Sequence, residues 1–239
     1  MQYIDAHCHL YEFDEKTIST FKDISIVAVS DDLKSSLKTI YLAEKFKDIY
    51  PCIGIHPWNI EKIDLKELEE IKNLIERFNI KCLGEIGLDR KFVPQTYCLQ
   101  IEVFEHFLKL ASEYDLIVNL HSPNAWREVY KMVIKYNISK AVFHWYTGPL
   151  DLLKKIIDKK FYITINPAIV VQKKHRIVLE NADIYQILTE SDGPYNYRGL
   201  YLTPAKIRDL LKIISEIKGL SLYDLKKIIL ENFNRLWLK

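Results

Sequence analysis

The sequence predicts an α/β protein built as a single-domain (β/α)8 TIM barrel over residues 1–239. Three observations lead there. Short apolar or β-branched runs recur eight times along the chain. Charged stretches with helical periodicity lie between them. Successive runs start about 20–35 residues apart, the length of one βα unit. Near-continuous apolar strands alternating with amphipathic helices describe a parallel sheet covered by helices. The rival, a doubly wound open sheet, normally shows G-x-G-x-x-G after its first strand, and none stands here.

The strand runs are "YIDAHCH" near 3–9, "SIVAVS" at 25–30, "YPCIGIH" at 50–56 and "KCLGEIGL" at 81–88. They continue with "LIVNLHS" at 116–122, "KAVFHW" at 140–145, "FYITIN" at 161–166 and "IYQILTES" at 184–191. Between them, "DLKELEEIKNLIERF" (64–78) repeats Leu65, Leu68, Ile71, Leu74, Ile75 and Phe78 every three or four residues. "QIEVFEHFLKLASEY" (100–114) does the same with Ile101, Phe104, Phe107, Leu108 and Ala111. Two further helices follow near the C-terminus, with Thr203 before Pro204, and Ser221, as their expected N-caps.

Composition narrows the function classes. The chain is 49% hydrophobic and 28% charged, ordinary for a globular protein with a substantial core. A net charge of +2 is too small to name an anionic partner by itself. No apolar run approaches the roughly 20 residues of a membrane-spanning helix, and no basic stretch with an apolar segment opens the chain. Cys8, Cys52, Cys82 and Cys98 show no C-x-x-C spacing, so four reduced thiols in a cytoplasmic protein are expected. No membrane partner and no obligate protein partner is inferred.

A barrel of this kind carries its active site at the C-terminal ends of its strands. His7 and His9 end the first strand and His56 the third. Glu85 ends the fourth, His121 the fifth, His144 the sixth and Asn166 the seventh, while Asp192 lies just beyond the eighth. Five of the seven histidines therefore lie at or next to a strand end; His106 and His175 fall in helical stretches. Residues two apart on a strand share a face, so His7 and His9 point one way with Asp5 deeper, and Cys8 points to the helices. Imidazole and carboxylate suit a borderline divalent ion. Four histidines with one Glu and one Asp suffice for two ions sharing a carboxylate, an arrangement that clamps a nucleophile and the oxygens of a phosphoryl or carbonyl group. His56, before Pro57, is open to a substrate-facing role or to a plain strand-ending turn. Cys8 reads as core.

These motifs, in order, are "DAHCHL", "GIHPW", "GEIGLD", "QIEVFEHFLKLA", the "LH" at 120–121, "FHWYTG", "SDGPY" and "ENFNRLW". The set resembles the TatD family of metal-dependent hydrolases, within the amidohydrolase-like barrels, over nearly the full length. The resemblance implies that His7, His9 and Asp192 bind one divalent ion and His121 and His144 another, with Glu85 bridging. It also implies a deoxyribonuclease-like activity on a DNA substrate. Three places depart from the family pattern: Tyr11 stands for an Asp, Pro123 for an Arg, and "SDGP" for Thr-Asp-Ser-Pro. The missing arginine is a natural bidentate phosphate contact, so the departure bears on substrate more than on metal.

The expected chemistry is hydrolysis of a phosphodiester by a metal-activated water, with Zn, Mg or Mn as candidate ions, and Asp192 as general base. Asp89 and Arg90 are placed to steady Glu85 or meet substrate. Tyr195, Tyr197 and Arg198 are placed to stack on a base or hold a phosphate. Two alternatives stand beside this reading. One is an amide or ester hydrolase acting on a non-nucleic-acid or aminoacyl substrate. The other is a metal-binding barrel without turnover.

Overall fold

The computed structural model describes residues 1–237. All eight expected runs form strands: β1 (Tyr3–Cys8), β2 (Ile24–Val29), β3 (Ile49–Cys52), β4 (Cys82–Gly87), β5 (Ile117–His121), β6 (Ala141–Phe143), β7 (Tyr162–Ile165) and β8 (Ile187–Thr189). A short pair follows, β9 (Tyr195–Tyr197) and β10 (Leu200–Leu202). The helices are α1 (Glu15–Ile18), α2 (Leu33–Lys45), α3 (Leu65–Phe78), α4 (Tyr97–Glu113), α5 (Trp126–Lys135), α6 (Leu150–Asp158), α7 (Lys173–Asn181), α8 (Ile207–Lys218) and α9 (Leu222–Trp237). Among the described residues no helix is long and apolar enough to cross a membrane. By contacts the chain divides into two compact units.

The first unit comprises Met1–Ala28, Phe46–Tyr50 and His144–Lys239. Here β1 pairs parallel with β2, and β7 with β8. Helices α8 and α9 cover β1 and β8, burying Ile4, Leu188, Leu211 and Phe233. The Asn of "ENFNRLW" explains itself. Asn232 is fully buried, and its amide donates to the carbonyls of Ile184 at 2.8 Å and Ile187 at 2.7 Å, pinning α9 beside β8. Ser221 caps α9 as expected, accepting from Asp224 N at 3.1 Å. Thr203 instead precedes a 3-10 turn, Pro204–Lys206, without a side-chain cap bond.

The β9–β10 hairpin was not expected as strands. Its antiparallel register turns through Arg198 at φ 51° and Gly199 at φ 82°. Two left-handed residues make the tight turn that matches strand twist. The alternating "YNYRGLYL" (195–202) carried that signal, masked by Pro194 and by an arginine at a position usually held by Asn or Gly.

His175 is structural. It is fully buried in α7, its Nε2 accepting from Asn166 N at 3.0 Å and its Nδ1 lying 3.2 Å from the carbonyl of Tyr146. Only the neutral ring with the proton on Nδ1 satisfies both bonds. Burial accordingly pushes its pKa from 6.5 down to about 4. Between those values the unfolded chain holds the extra proton, so stability falls as pH drops from 6.5 toward 4 and then levels off. We expect a loss of about 3 kcal/mol over that window, at 1.36 kcal/mol per unit. Urea melts of wild type and His175→Gln across the window check this. The pH dependence should flatten in the variant.

The second unit comprises Val29–Lys45 and Pro51–Phe143. Strands β4, β5 and β6 pair parallel in that order, and Ile53 bridges to Leu83. Helix α4 lies on β4 and β5, burying Phe104, Phe107 and Leu108. The two glycines of "GEIGLD" serve close approach. A Cβ on Gly84 would stand 2.7 Å from Asn119 Cβ and 2.9 Å from Cys52 Sγ. Gly87, at φ 145°, lets the chain pass over the His121 carbonyl, where a Cβ would collide.

One expectation is corrected here. Cys52 and Cys82 form a disulfide, with Cα atoms 4.5 Å apart, while Cys8 and Cys98 are free. The pairing of strand segments at Ile53 and Leu83 brings residues 52 and 82 side by side, which a separation of 30 in sequence does not reveal.

Candidate metal centre

In the first unit the polar residues gather where β1, β7 and β8 end. His7 is the next-to-last residue of β1, and its backbone carbonyl accepts from Asp192 N at 2.9 Å. Asp192 adopts φ 54°, a left-handed conformation that a short acidic side chain tolerates. One oxygen of Asp192 then lies 3.4 Å from His7 Nε2 and 3.4 Å from His9 Nε2. His9 lies one residue past the strand, where a bulge between Asp5 and Cys8 has shifted the register. The His144 ring stacks on His7 with centroids 4.0 Å apart. Burial raises the Asp192 carboxyl, but the imidazoles of His7, His9 and His144 outweigh it and hold the group well below the usual carboxylate range.

Glu190 joins this cluster and was missed by the sequence reading. It is fully buried, with Oε1 accepting from Trp145 N at 2.9 Å and from Asn166 Nδ2 at 3.3 Å. Its other oxygen lies 3.7 Å from His144 Nδ1. His7, His144 and Glu190 offer three ligand atoms within 4.8 Å of one another. A glutamate closing an otherwise apolar strand run, "ILTES", was the available signal. Beneath them Asp5 accepts from Ser191 N at 2.8 Å. Burial, with the nearby Glu190 charge, raises Asp5 to about 7 against the lowering bonds from Ser191.

In the second unit Glu85, His121, His56 and Asp89 form a linked set. Glu85 is 1% exposed and lies inside β4, two residues before its end, its N–H donating to the Ser30 carbonyl at 2.9 Å. Glu85 Oε1 lies 2.5 Å from His121 Nδ1 and 3.4 Å from His56 Nε2. His121 Nε2 lies 3.0 Å from Asp89 Oδ2. Asp89 is itself anchored by the Trp58 indole at 2.7 Å and by the N–H groups of Lys91 and Phe92. Although burial opposes it, bonds from His121 and Trp58 lower Asp89 to about 2, so it stays ionised and accepts a hydrogen bond from His121 Nε2–H. The Nδ1 lone pair of His121 then faces a carboxylate oxygen. That pair of acceptors, with His56 Nε2 beside them, suits a shared proton or a bound cation.

His56 is oriented differently. Its Nδ1 accepts from Trp58 N at 3.1 Å, which leaves the ring proton on Nε2, 3.2 Å from His121 Nδ1 and 3.4 Å from Glu85 Oε1. Burial holds its pKa below 6.5, so the ring is neutral and serves as a hydrogen-bond donor there. Arg90 turns elsewhere. Its guanidinium lies over the Tyr97 ring at 4.3 Å and reaches Glu128 at 3.3 Å, while its N–H bonds the carbonyl of Pro123. Tyr195 and Arg198 stand exposed on the β9–β10 hairpin.

Both donor sets fit divalent ions by chemistry and spacing. Each combines imidazole and carboxylate within 4.8 Å, and Glu190 Oε2 is buried without a hydrogen-bond partner among the described residues. A ligating histidine commonly gives its second N–H to a carboxylate, the role Asp89 fills for His121. We expect Asp89→Asn to weaken divalent-ion affinity about 10- to 100-fold, measured by competition with a chromogenic chelator.

Comparison with known proteins adds lineage. The profile of the family described as TatD related DNase matches residues 4–238. An uncharacterised metal-dependent hydrolase of Methanocaldococcus jannaschii is 30% identical over 97% of this chain and 95% of its own. The metal-dependent hydrolase YcfH of Escherichia coli is 25% identical over 98% and 95%. Among solved structures, the TatD homologue YjjV of Escherichia coli aligns with a TM-score of 0.90 at 23% identity, covering 99% of this chain and 98% of that one. A TatD-family hydrolase of Entamoeba histolytica aligns at 0.85 and 18% identity, over 99% and 98%. These two structures show the α/β fold alone. With the profile match over nearly the whole length and the relative at 30% identity, the chain belongs to the TatD-related DNase family.

Proposed function

We propose that this metal-dependent hydrolase cleaves phosphodiester bonds of DNA, using two divalent ions, one at each donor set. The observation that carries the reading is the approach of His7 Nε2 and His9 Nε2 to a single oxygen of Asp192, each at 3.4 Å. When bound, such ions acidify water and offset the negative charge that grows on phosphoryl oxygens. Asp192, kept ionised beside its histidines, accepts the proton of the attacking water at its carboxylate. His7 and His9 hold that carboxylate in place. Glu85 supplies the negative charge that retains a cation beside His121, whose ring Asp89 orients. His56 donates from Nε2 toward Glu85 or an incoming substrate oxygen.

One observation favours a second reading, hydrolysis of an ester or amide. Pro123 stands where the family resemblance implies an arginine, and the neighbouring Arg90 guanidinium is engaged by Glu128 and Tyr97. Arg90 is thus already paired rather than offered to a phosphate.

A substrate panel separates the two. Purified protein, assayed for bound metal and then supplied with Mn²⁺ or Mg²⁺, is offered single-stranded DNA, a carboxylic ester and an aminoacylated oligonucleotide. We expect DNA turnover that Glu85→Ala abolishes. Equal DNA turnover in wild type and variant would assign it to a contaminant. Turnover of the ester or aminoacyl bond without DNA cleavage would select the second reading. Protein that retains no divalent ion and recovers none on reconstitution would overturn both.

A further inference from the structure

Trp145 directly follows His144 and takes φ 39°, a left-handed backbone that a bulky residue rarely accepts. Two buried acceptors hold it there. Its N–H bonds Thr164 Oγ1 at 2.8 Å and Glu190 Oε1 at 2.9 Å. The indole N–H donates to Gln172 Oε1 at 2.8 Å, and Gln172 in turn donates to the Tyr197 hydroxyl at 3.3 Å. The Trp145 ring lies 5.0 Å from that of Tyr197 and 6.3 Å from that of Tyr195. Tyr195 is 46% exposed. Arg198 sits over the Tyr197 ring at 5.3 Å, and Lys173 and Lys174 follow Gln172 at the exposed start of α7.

The polar edges of Trp145 and Tyr197 are both tied to Gln172, Tyr195 stands exposed beside them, and one cation, Arg198, lies against the cluster. A packed aromatic cluster needs neither an exposed tyrosine nor a strained tryptophan. We propose that Trp145, Tyr195 and Tyr197 form a stacking surface for a nucleobase next to the scissile phosphate, with Arg198 countering the flanking phosphate. The inference rests on the nucleic-acid reading above and deepens it. Every base has a π-face, so such a surface tolerates sequence.

The test compares an oligothymidylate with the same backbone carrying abasic tetrahydrofuran residues. Wild type should favour the base-bearing strand in kcat/KM by about 5- to 150-fold, the worth of stacking one base. In Trp145→Leu and Tyr195→Ala that ratio should fall toward one, with bound metal and circular dichroism unchanged. A wild-type ratio of one, or a ratio that neither variant alters, overturns the surface. If wild type cleaves neither backbone, the nucleic-acid hydrolase reading fails on its own. Tryptophan fluorescence titrated with a methylphosphonate dinucleotide then decides the surface separately. Quenching that Trp145→Leu removes supports it, and absence of binding overturns it.

Discussion

Glu85→Gln is expected to lower kcat/KM by more than about 100-fold and to deplete bound metal, a larger loss than the one expected for Asp89, which only orients His121. The variant keeps the shape of the side chain and removes its charge. Glu85 is 1% exposed, and the chain around it is fixed, since Ser30 N–H donates to the Gly84 carbonyl and Glu85 N–H to the Ser30 carbonyl. Nothing can move in to replace the lost charge beside His121 and His56. With metal stripped from both, the variant should melt at or above the wild type, because a buried carboxylate costs desolvation that a neutral amide avoids. Metal analysis, thermal melts and initial rates together check the claim. A variant that keeps its metal and stays within threefold of wild-type kcat/KM would refute the role.

The second large effect is expected at Asp192. Asp192→Asn should cut kcat by about 10²–10⁴-fold, the range for loss of a positioned general base, with KM changed far less. The argument is geometric first. Asp192 N bonds the His7 carbonyl at 2.9 Å, and His9 N bonds the Gly193 carbonyl at 2.9 Å, so the loop is stitched to the end of β1. The carboxylate therefore has one place to be, between two imidazoles. It stays ionised far below neutral pH, so the acid limb of the rate profile in wild type belongs to other groups. Single-turnover rates at saturating metal isolate the chemical step. A kcat within fivefold of wild type would remove Asp192 from proton transfer.

Most of the fold was legible because it is periodic. The apolar runs became β1 to β8 within a few residues, and the three-or-four-residue repeats became α3, α4, α8 and α9. Strand-end position likewise marked His7, His121 and His144, since the last residue of a buried strand is the first that can face a site. Glu190 escaped because a buried glutamate in a strand run looks like an exposed loop residue until its partners, Trp145 and Asn166, are known. Asp89 was seen, but whether it served Glu85, substrate or His121 depended on which nitrogen of His121 it met.

By itself the sequence determined the α/β alternation, the histidines at the strand ends and the resemblance to one family of hydrolases. Those follow from local pattern, where spacing along the chain equals spacing in space. Tertiary structure decided that His7 and His144 stack and meet Glu190, and that His56 donates while His121 is oriented by Asp89. It also joined Cys52 to Cys82. Each of these links residues far apart in sequence, and each depends on the direction of a single nitrogen, oxygen or sulfur, which only packing sets.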